Sequence, residues 1–347
     1  MKFVFIIQGE GRGHLSQAAR LKDILESRGH TVEAAYMGMS PQRPVSGYAR
    51  ELFGDKLNYF RSPNFIRKSN RKGILLGKSL SNNIIHFIPY LRSLVFLIRE
   101  IRNKKPEAVI NFYDLLGGLA FYFSKSDASF YAVSHHFLFE HPAFPHPPEF
   151  KFQKRLLVWH NRLTSLKAAK RLALSFDKQE NFNSTLVMPP LIRKELRDVE
   201  PGREDFVLVY LLNEGLSIDL LPLFHENSKL EFRLYMQEGI NPGIFPANVQ
   251  LFPPGDDFAR QLPKCRAVIC SSGFETLCEA AFLNKAVFLI PSENHYEQYG
   301  NLLDALRAGI AQEHLTFEED QLFRPDRKNF RDWCEKAEKM FAEALEA

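Results

Sequence analysis

The chain is 347 residues long, with 45% hydrophobic and 25% charged residues, which is length enough for two cores and the composition of an ordinary soluble protein. Its net charge of +4 conceals an asymmetry: residues 61–105 hold eleven Lys or Arg and one acid, Glu100, a block of +10 that leaves −6 for the remainder. The longest uncharged run near an apolar cluster, residues 79–91, is far short of the roughly 20 residues that span a bilayer, which excludes a membrane-spanning helix.

Residues 2–8 form a continuous apolar run suited to a parallel strand, and too short for the core of a signal peptide. Gly9-Glu10-Gly11-Arg12-Gly13-His14 follows. A helix then runs to about Arg28, with Ala18, Leu21, Ile24 and Leu25 on one face, and Gly29 stops it before a strand over residues 30–37. This is a βαβ unit of an open α/β sheet, in which ligands sit at strand C-termini. The glycines are spaced G-x-G-x-G, not G-x-G-x-x-G, so a dinucleotide cofactor fits poorly and none is expected.

The basic block closes with NNIIHFIPYLRSLVFLIREIRNKKP. Pro89 should break a helix, so the helix is expected over residues 90–102. A cation-rich amphipathic helix suits the surface of an anionic membrane; a core-facing helix with a solvated basic rim fits the same residues. No nucleic-acid-binding motif accompanies it, and no nucleic-acid partner is expected. Residues 107–113 read as a strand, with Asp114 just past its end and a helix over 115–123 that Asp114 could begin. The strand over 129–133 ends in SHHFLFEHPAFPHPP, whose histidines (His135, His136, His141, His146) lack a helical H-x-x-x-H spacing. No metal site is expected there. The segment reads as an acceptor-site lid or a structured loop, with His135 at the strand's C-terminal edge.

Residues 150–170 read as a basic amphipathic helix carrying Trp159, followed by strands over 171–176 and 186–188 and an interdomain linker over 191–202. The second half begins again with a strand over 205–212, ending at Asn213-Glu214-Gly215, and a helix through Leu220 and Leu221. Strands over 230–235 and 249–252 and a helix over 258–262 lead to the most telling stretch, residues 268–301, VICSSGFETLCEAAFLNKAVFLIPSENHYEQYGN. It reads as strand, turn (Ser271-Ser272-Gly273), helix, strand and polar loop. Ser272 and Glu275 form a capping-box pattern, and Asn284 suits a left-handed stop. Such a helix N-terminus is a ready phosphate site. Glu279 lies one turn beyond Glu275, where a carboxylate can take two sugar hydroxyls, and Glu297-Gln298 sit on the loop after the next strand. A second capping box spans 316–319, and a final helix starts near Arg327. The four cysteines (Cys265, Cys270, Cys278, Cys334) show no C-x-x-C spacing and read as reduced thiols of a cytoplasmic protein.

The stretch 268–301 resembles the nucleotide-sugar signature of GT-B glycosyltransferases, and is similar to both the bacterial peptidoglycan N-acetylglucosaminyltransferases and the plant UDP-glycosyltransferases. The resemblance implies an α/β fold of two Rossmann-like parallel-sheet domains facing each other across a cleft. An acceptor-binding domain would span 1–195, a nucleotide-sugar domain 203–325, and the last helix, 326–347, would pack back on the first domain. It implies that Gly215, Ser271, Ser272, Gly273 and Phe274 meet the donor diphosphate, that Glu279 binds the ribose, and that Glu297 and Gln298 hold the sugar. Two departures stand out: the plant signature has His at Ser271 and Asn at Glu275.

On the acceptor side, Gly11, Gly13 and His14 match a first loop whose His deprotonates the acceptor, and Asp114 matches an Asp that orients it. A capping or packing role for His14 stays open, as does a helix-starting role for Asp114. The implied activity is inverting, metal-independent transfer from a nucleotide-diphosphate sugar, UDP-linked, to a hydroxyl acceptor. The basic segment suits a lipid-linked or otherwise anionic acceptor, and a cytoplasmic protein that can work at the inner face of the membrane, without establishing either. A nucleotide-sugar 2-epimerase and a non-catalytic nucleotide-sugar-binding module share the fold.

Overall fold

Short apolar strands alternating with helices build two parallel sheets in the computed structural model, which describes residues 1–9, 12–39, 47–63, 86–211, 214–236, 240–253, 255, 257–312, 317 and 327–346. The first sheet contains β1 (Lys2–Ile7), β2 (Thr31–Met39), β3 (Leu57–Arg61), β4 (Ala108–Phe112), β5 (Ser129–Val133), β6 (Lys170–Leu174) and β7 (Thr185–Met188). The second contains β8 (Phe206–Tyr210), β9 (Glu231–Tyr235), β10 (Val249–Phe252), β11 (Ala267–Cys270) and β12 (Ala286–Leu289). Their orders are β3-β2-β1-β4-β5-β6-β7 and β10-β9-β8-β11-β12. Helical crossovers cover both faces of such sheets, which is why Phe3 to Ile7 and Ala267 to Cys270 are buried without alternation.

Each order reverses at one place, between β1 and β4 in the first sheet and between β8 and β11 in the second. The connections diverge there and leave a crevice at the strand C-termini. His14 and Asp114 follow β1 and β4; Gly215 and Ser271 follow β8 and β11. The fold is therefore two parallel-sheet α/β domains, as the α/β reading required.

Local signals placed most elements within a residue or two. Gly29 (φ +80°) and Asn284 (φ +56°) take the left-handed conformations that end their helices. Three boundaries moved. The helix Phe87–Lys104 begins before Pro89, which lies in the first turn, where its missing N–H costs no hydrogen bond. The helix Lys151–Thr164 ends six residues short of the expected Lys170, because Lys170 starts β6. The linker is partly structured, with a short helix, Lys194–Arg197, and Leu191, Ile192 and Leu196 buried. The capping box over 316–319, Gly11 and the first half of the basic block, 64–85, lie outside the described residues.

The chain ends in two helices, Arg327–Glu335 and Ala337–Glu346, rather than one. The first packs on the helix Phe274–Phe282 of the second half and the second on the helix Gly13–Ser27 and β7 of the first half, to which both are bonded. Trp333 Nε1 donates to Ser175 O (3.0 Å), Lys170 Nζ to Ala344 O (2.9 Å), and Arg28 pairs with Glu346 (2.8 Å). Among the described residues no helix is long and apolar enough to cross a membrane.

Candidate active site

The first-sheet wall of the cleft is built on close backbone approach. A Cβ on Gly9 would fall 1.6 Å from the Gly38 carbonyl oxygen, so only glycine lets β1 run on into this loop. The chain then enters the helix Gly13–Ser27, which carries His14 buried in its first turn. His14 Nδ1 lies 3.2 Å from Gln17 Oε1, one turn on. Its ring stands 5.7 Å from Tyr113 and 5.8 Å from His136. Tyr113 stacks on His136 at 4.0 Å and meets His160 at 4.8 Å. Tyr113 has φ +64°, a left-handed backbone unusual for an aromatic residue, and its hydroxyl donates to Asn161 Oδ1 (2.6 Å). Burial and the neighbouring His136 push His14 down to about 4, and burial does the same to His160. Both rings are neutral at pH 7.

The second-sheet wall supplies carboxylates. The helix Phe274–Phe282 follows β11, with Gly273 at its N-cap and no side chain capping it. The capping box expected from Ser272 and Glu275 does not form. Ser272 Oγ is fully buried without a partner among the described residues, while Glu275 turns across the cleft, its Oε1 accepting from Gln17 Nε2 (2.5 Å). Gly13 permits that approach, since a Cβ there would meet Glu275 Cγ at 3.0 Å. Burial pushes the Glu275 carboxyl up to about 8.

Glu279, one turn on, is 3% exposed and held by the Arg193 guanidinium of the linker through both carboxylate oxygens. Glu297 and Gln298 occupy the first turn of the helix Tyr296–Arg307, not a loop. Glu297 Oε2 lies 3.2 Å from His136 Nε2. Burial opposes its ionisation, but the charge and hydrogen bond of His136, with His295 and His14 near, hold its carboxyl well below the usual range.

The family model of glycosyl transferase family 1 matches residues 1–323. The chain belongs to glycosyl transferase family 1. Among solved structures it resembles MurG from Acinetobacter baumannii (15% identity, TM-score 0.57, covering 100% of this chain and 99% of that one). It also resembles Phytolacca americana UGT2 complexed with UDP-2-fluoro-glucose and pterostilbene (15%, TM-score 0.60, covering 99% and 94%). A third likeness is UDP-GlcNAc 2-epimerase from Neisseria meningitidis bound to UDP-GlcNAc (15%, TM-score 0.58, 99% of each chain). At such identities the likeness speaks for the fold, which is GT-B. No curated protein matches the chain.

Against that family pattern, several side chains of this glycosyltransferase hold unexpected positions. Asp114 does not partner His14. Its Oδ1 accepts from the Gly117 N–H (3.0 Å) and its Oδ2 from Ser62 Oγ (2.7 Å), so it caps the helix Leu115–Ser124. Burial lifts its carboxyl to about 6 despite those bonds. His135 is not an acceptor-facing group either. It is 2% exposed, its Nδ1 donates to Leu174 O (2.7 Å), its Nε2 lies 3.0 Å from Asn301 Oδ1, and its ring stacks on Phe274 at 4.0 Å.

The histidine that reaches the cleft is its neighbour, His136. Gln298 turns inward, its Oε1 accepting from the Ser292 N–H (2.7 Å). Ser271 is buried behind the turn and Gly215 lies in the 3-10 turn Glu214–Leu220 beside it. Gln17 was findable in the sequence, being three residues from His14 on one helix face. Tyr113, His160 and Arg193 carried no comparable signal.

Proposed function

We propose that this glycosyltransferase moves a sugar from a UDP-sugar to a hydroxyl acceptor with inversion and without a metal. One observation carries the reading. A buried, neutral His14 at the reversal point of the first sheet faces the bare N-terminus of the helix Phe274–Phe282 at the reversal point of the second.

His14 Nε2 takes the acceptor's proton as the acceptor oxygen bonds to the anomeric carbon. The bond from that carbon to the diphosphate oxygen breaks, and its electron pair leaves with the diphosphate. The unpaired N–H groups of the helix start, its dipole and the unpartnered Ser272 hydroxyl stabilise that charge. No D-x-D occurs in the sequence to hold a divalent ion. Glu279 meets the ribose once Arg193 yields it, Glu297 meets the sugar, and Gln298 reaches the sugar only once it leaves the Ser292 N–H.

The acceptor reading draws on the outer face. Phe87, Ile88, Leu91 and Val95 of the helix Phe87–Lys104, and Phe152, Leu156 and Trp159 of the helix Lys151–Thr164, are exposed large apolar side chains. Arg92, Arg99, Lys151 and Arg155 stand exposed among them. Apolar side chains ringed by cations suit an anionic lipid surface and thus a lipid-linked acceptor.

A thermal-shift panel of nucleoside diphosphates and their sugars, with and without magnesium, tests the donor site. A selective shift by uridine diphosphate, independent of magnesium and lost in Glu279→Ala, is expected. No shift with any nucleotide would overturn the reading. Donor sugar epimerised in the absence of acceptor would mark an epimerase instead.

A further inference from the structure

The base in this cleft lacks the acidic partner that the sequence suggested, and another pair of side chains takes its place. We propose that Gln17 and Glu275 are the positioning pair of His14, one from each domain, so that the base is set only when the two walls meet. This rests on His14 being the general base.

The argument is one of donors and acceptors. A neutral imidazole that removes a proton at Nε2 must carry its own hydrogen on Nδ1. Gln17 Oε1, 3.2 Å from Nδ1, can only accept, and so selects that tautomer. A primary amide can turn over, however. Reversed, Gln17 would offer N–H to Nδ1, move the ring proton to Nε2 and leave no lone pair for the acceptor.

Glu275 biases the amide against that reversal. Its Oε1 accepts from Gln17 Nε2 at 2.5 Å, either as a carboxylate or as the carbonyl oxygen of an acid protonated on Oε2, which has no partner among the described residues. This commits the amide oxygen to His14. The two residues are 258 positions apart and stand on helices that follow β1 and β11, so the contact exists only across the closed cleft. Gly13 leaves the space for it, with Glu275 Cγ 3.0 Å from where its Cβ would be. Asp114 is already committed to Ser62 and Gly117. Among the described residues, the other charged or titratable groups around the pair include Glu279, Arg193, Cys278 and Cys334 beside Glu275, and Tyr113, His136, His160 and Glu297 beside His14.

Nitrogen-15 NMR of the histidine-labelled full chain reads the tautomer directly. His14 is expected with hydrogen on Nδ1 in the wild type, and with a mixture of tautomers in Gln17→Leu and Glu275→Ala. Gln17→Glu, which keeps the acceptor, is expected to retain the wild-type tautomer. In transfer assays Gln17→Leu should lower kcat by roughly 10²-fold and Glu275→Ala by about tenfold, neither raising the donor KM, since general-base catalysis is worth roughly 10²–10⁴.

An Nε2–H tautomer in the wild type, or wild-type kcat in both variants, overturns the proposal. The NMR result stands apart from the function: transfer surviving in His14→Ala would sink the base reading, whereas the tautomer decides the pair by itself. Should Gln17→Leu fail to fold, Glu275→Ala and Gln17→Glu carry the same test.

Discussion

The two walls of the cleft are built alike and furnished oppositely. Both are centred on the reversal point of a parallel sheet and widened by the elements after β5 and β12, yet the first presents His14, Tyr113, His136 and His160, and the second presents Glu275, Glu279 and Glu297. Where a group on either wall lacks an opposite charge, burial neutralises it. His14 and His160 are held near 4 and Glu275 near 8. Where opposite groups meet, as at His136 and Glu297, the acid stays ionised. The cleft thus keeps an uncharged base beside an ionised acid, and neither wall alone holds the set.

Removing the base should have the largest effect. His14→Ala is expected to lower kcat by roughly 10³-fold while the thermal shift with uridine diphosphate is unchanged. Activity within a few-fold of wild type would erase the proposed division of labour between the walls.

Next comes the bond that ties the linker to the second wall. Arg193→Ala leaves the Glu279 carboxylate buried and unpaired, and should cost about 3–5 kcal/mol in denaturant unfolding. Arg193→Met with Glu279→Gln should recover most of that loss. A single variant as stable as wild type would show that the pair does not hold the walls together.

Acid sensitivity sharpens the contrast. Below the unfolded value of 6.5 the unfolded chain protonates its histidines, while His14 and His160 in the fold stay neutral until about 4. Their contribution to stability therefore falls as pH drops from 6.5 to 4, and His14→Gln should flatten that part of the Tm profile. Glu275 acts in the other direction. Its folded value of about 8 lies above the unfolded 4.5, so the fold loses stability as pH rises through that interval. Glu275→Gln should therefore raise Tm by a few degrees at pH 9 relative to its effect at pH 5. An equal change at both pH values would mean that the carboxyl is not neutralised by burial.

The smallest effect is expected away from the cleft. Trp159→Ser, on an exposed and basic helix, should weaken co-sedimentation with anionic vesicles several-fold without altering the donor's thermal shift. Equal sedimentation of variant and wild type would remove this face from the acceptor reading.

Local chemistry was enough to determine the elements and their order. The buried run of β1, the left-handed stops at Gly29 and Asn284, and the strand–turn–helix around Ser271 all depend on residues within a few positions of one another, and they made two α/β halves legible. The same locality misled at Ser272 and Glu275. Their spacing fits a capping box, but Gln17 competes for Glu275 from the opposite wall. Asp114 sits where a catalytic partner was expected, yet the N–H of Gly117 is three residues away and claims it.

What only the tertiary structure decided is which side chains meet: His14 with His136, Glu297 with His136, Glu279 with Arg193, and Glu275 with Gln17. Two of those contacts, Glu297 with His136 and Glu275 with Gln17, join elements from two separately built sheets. Burial then sets whether each group is charged, and burial is a property of the closed cleft that no stretch of sequence carries.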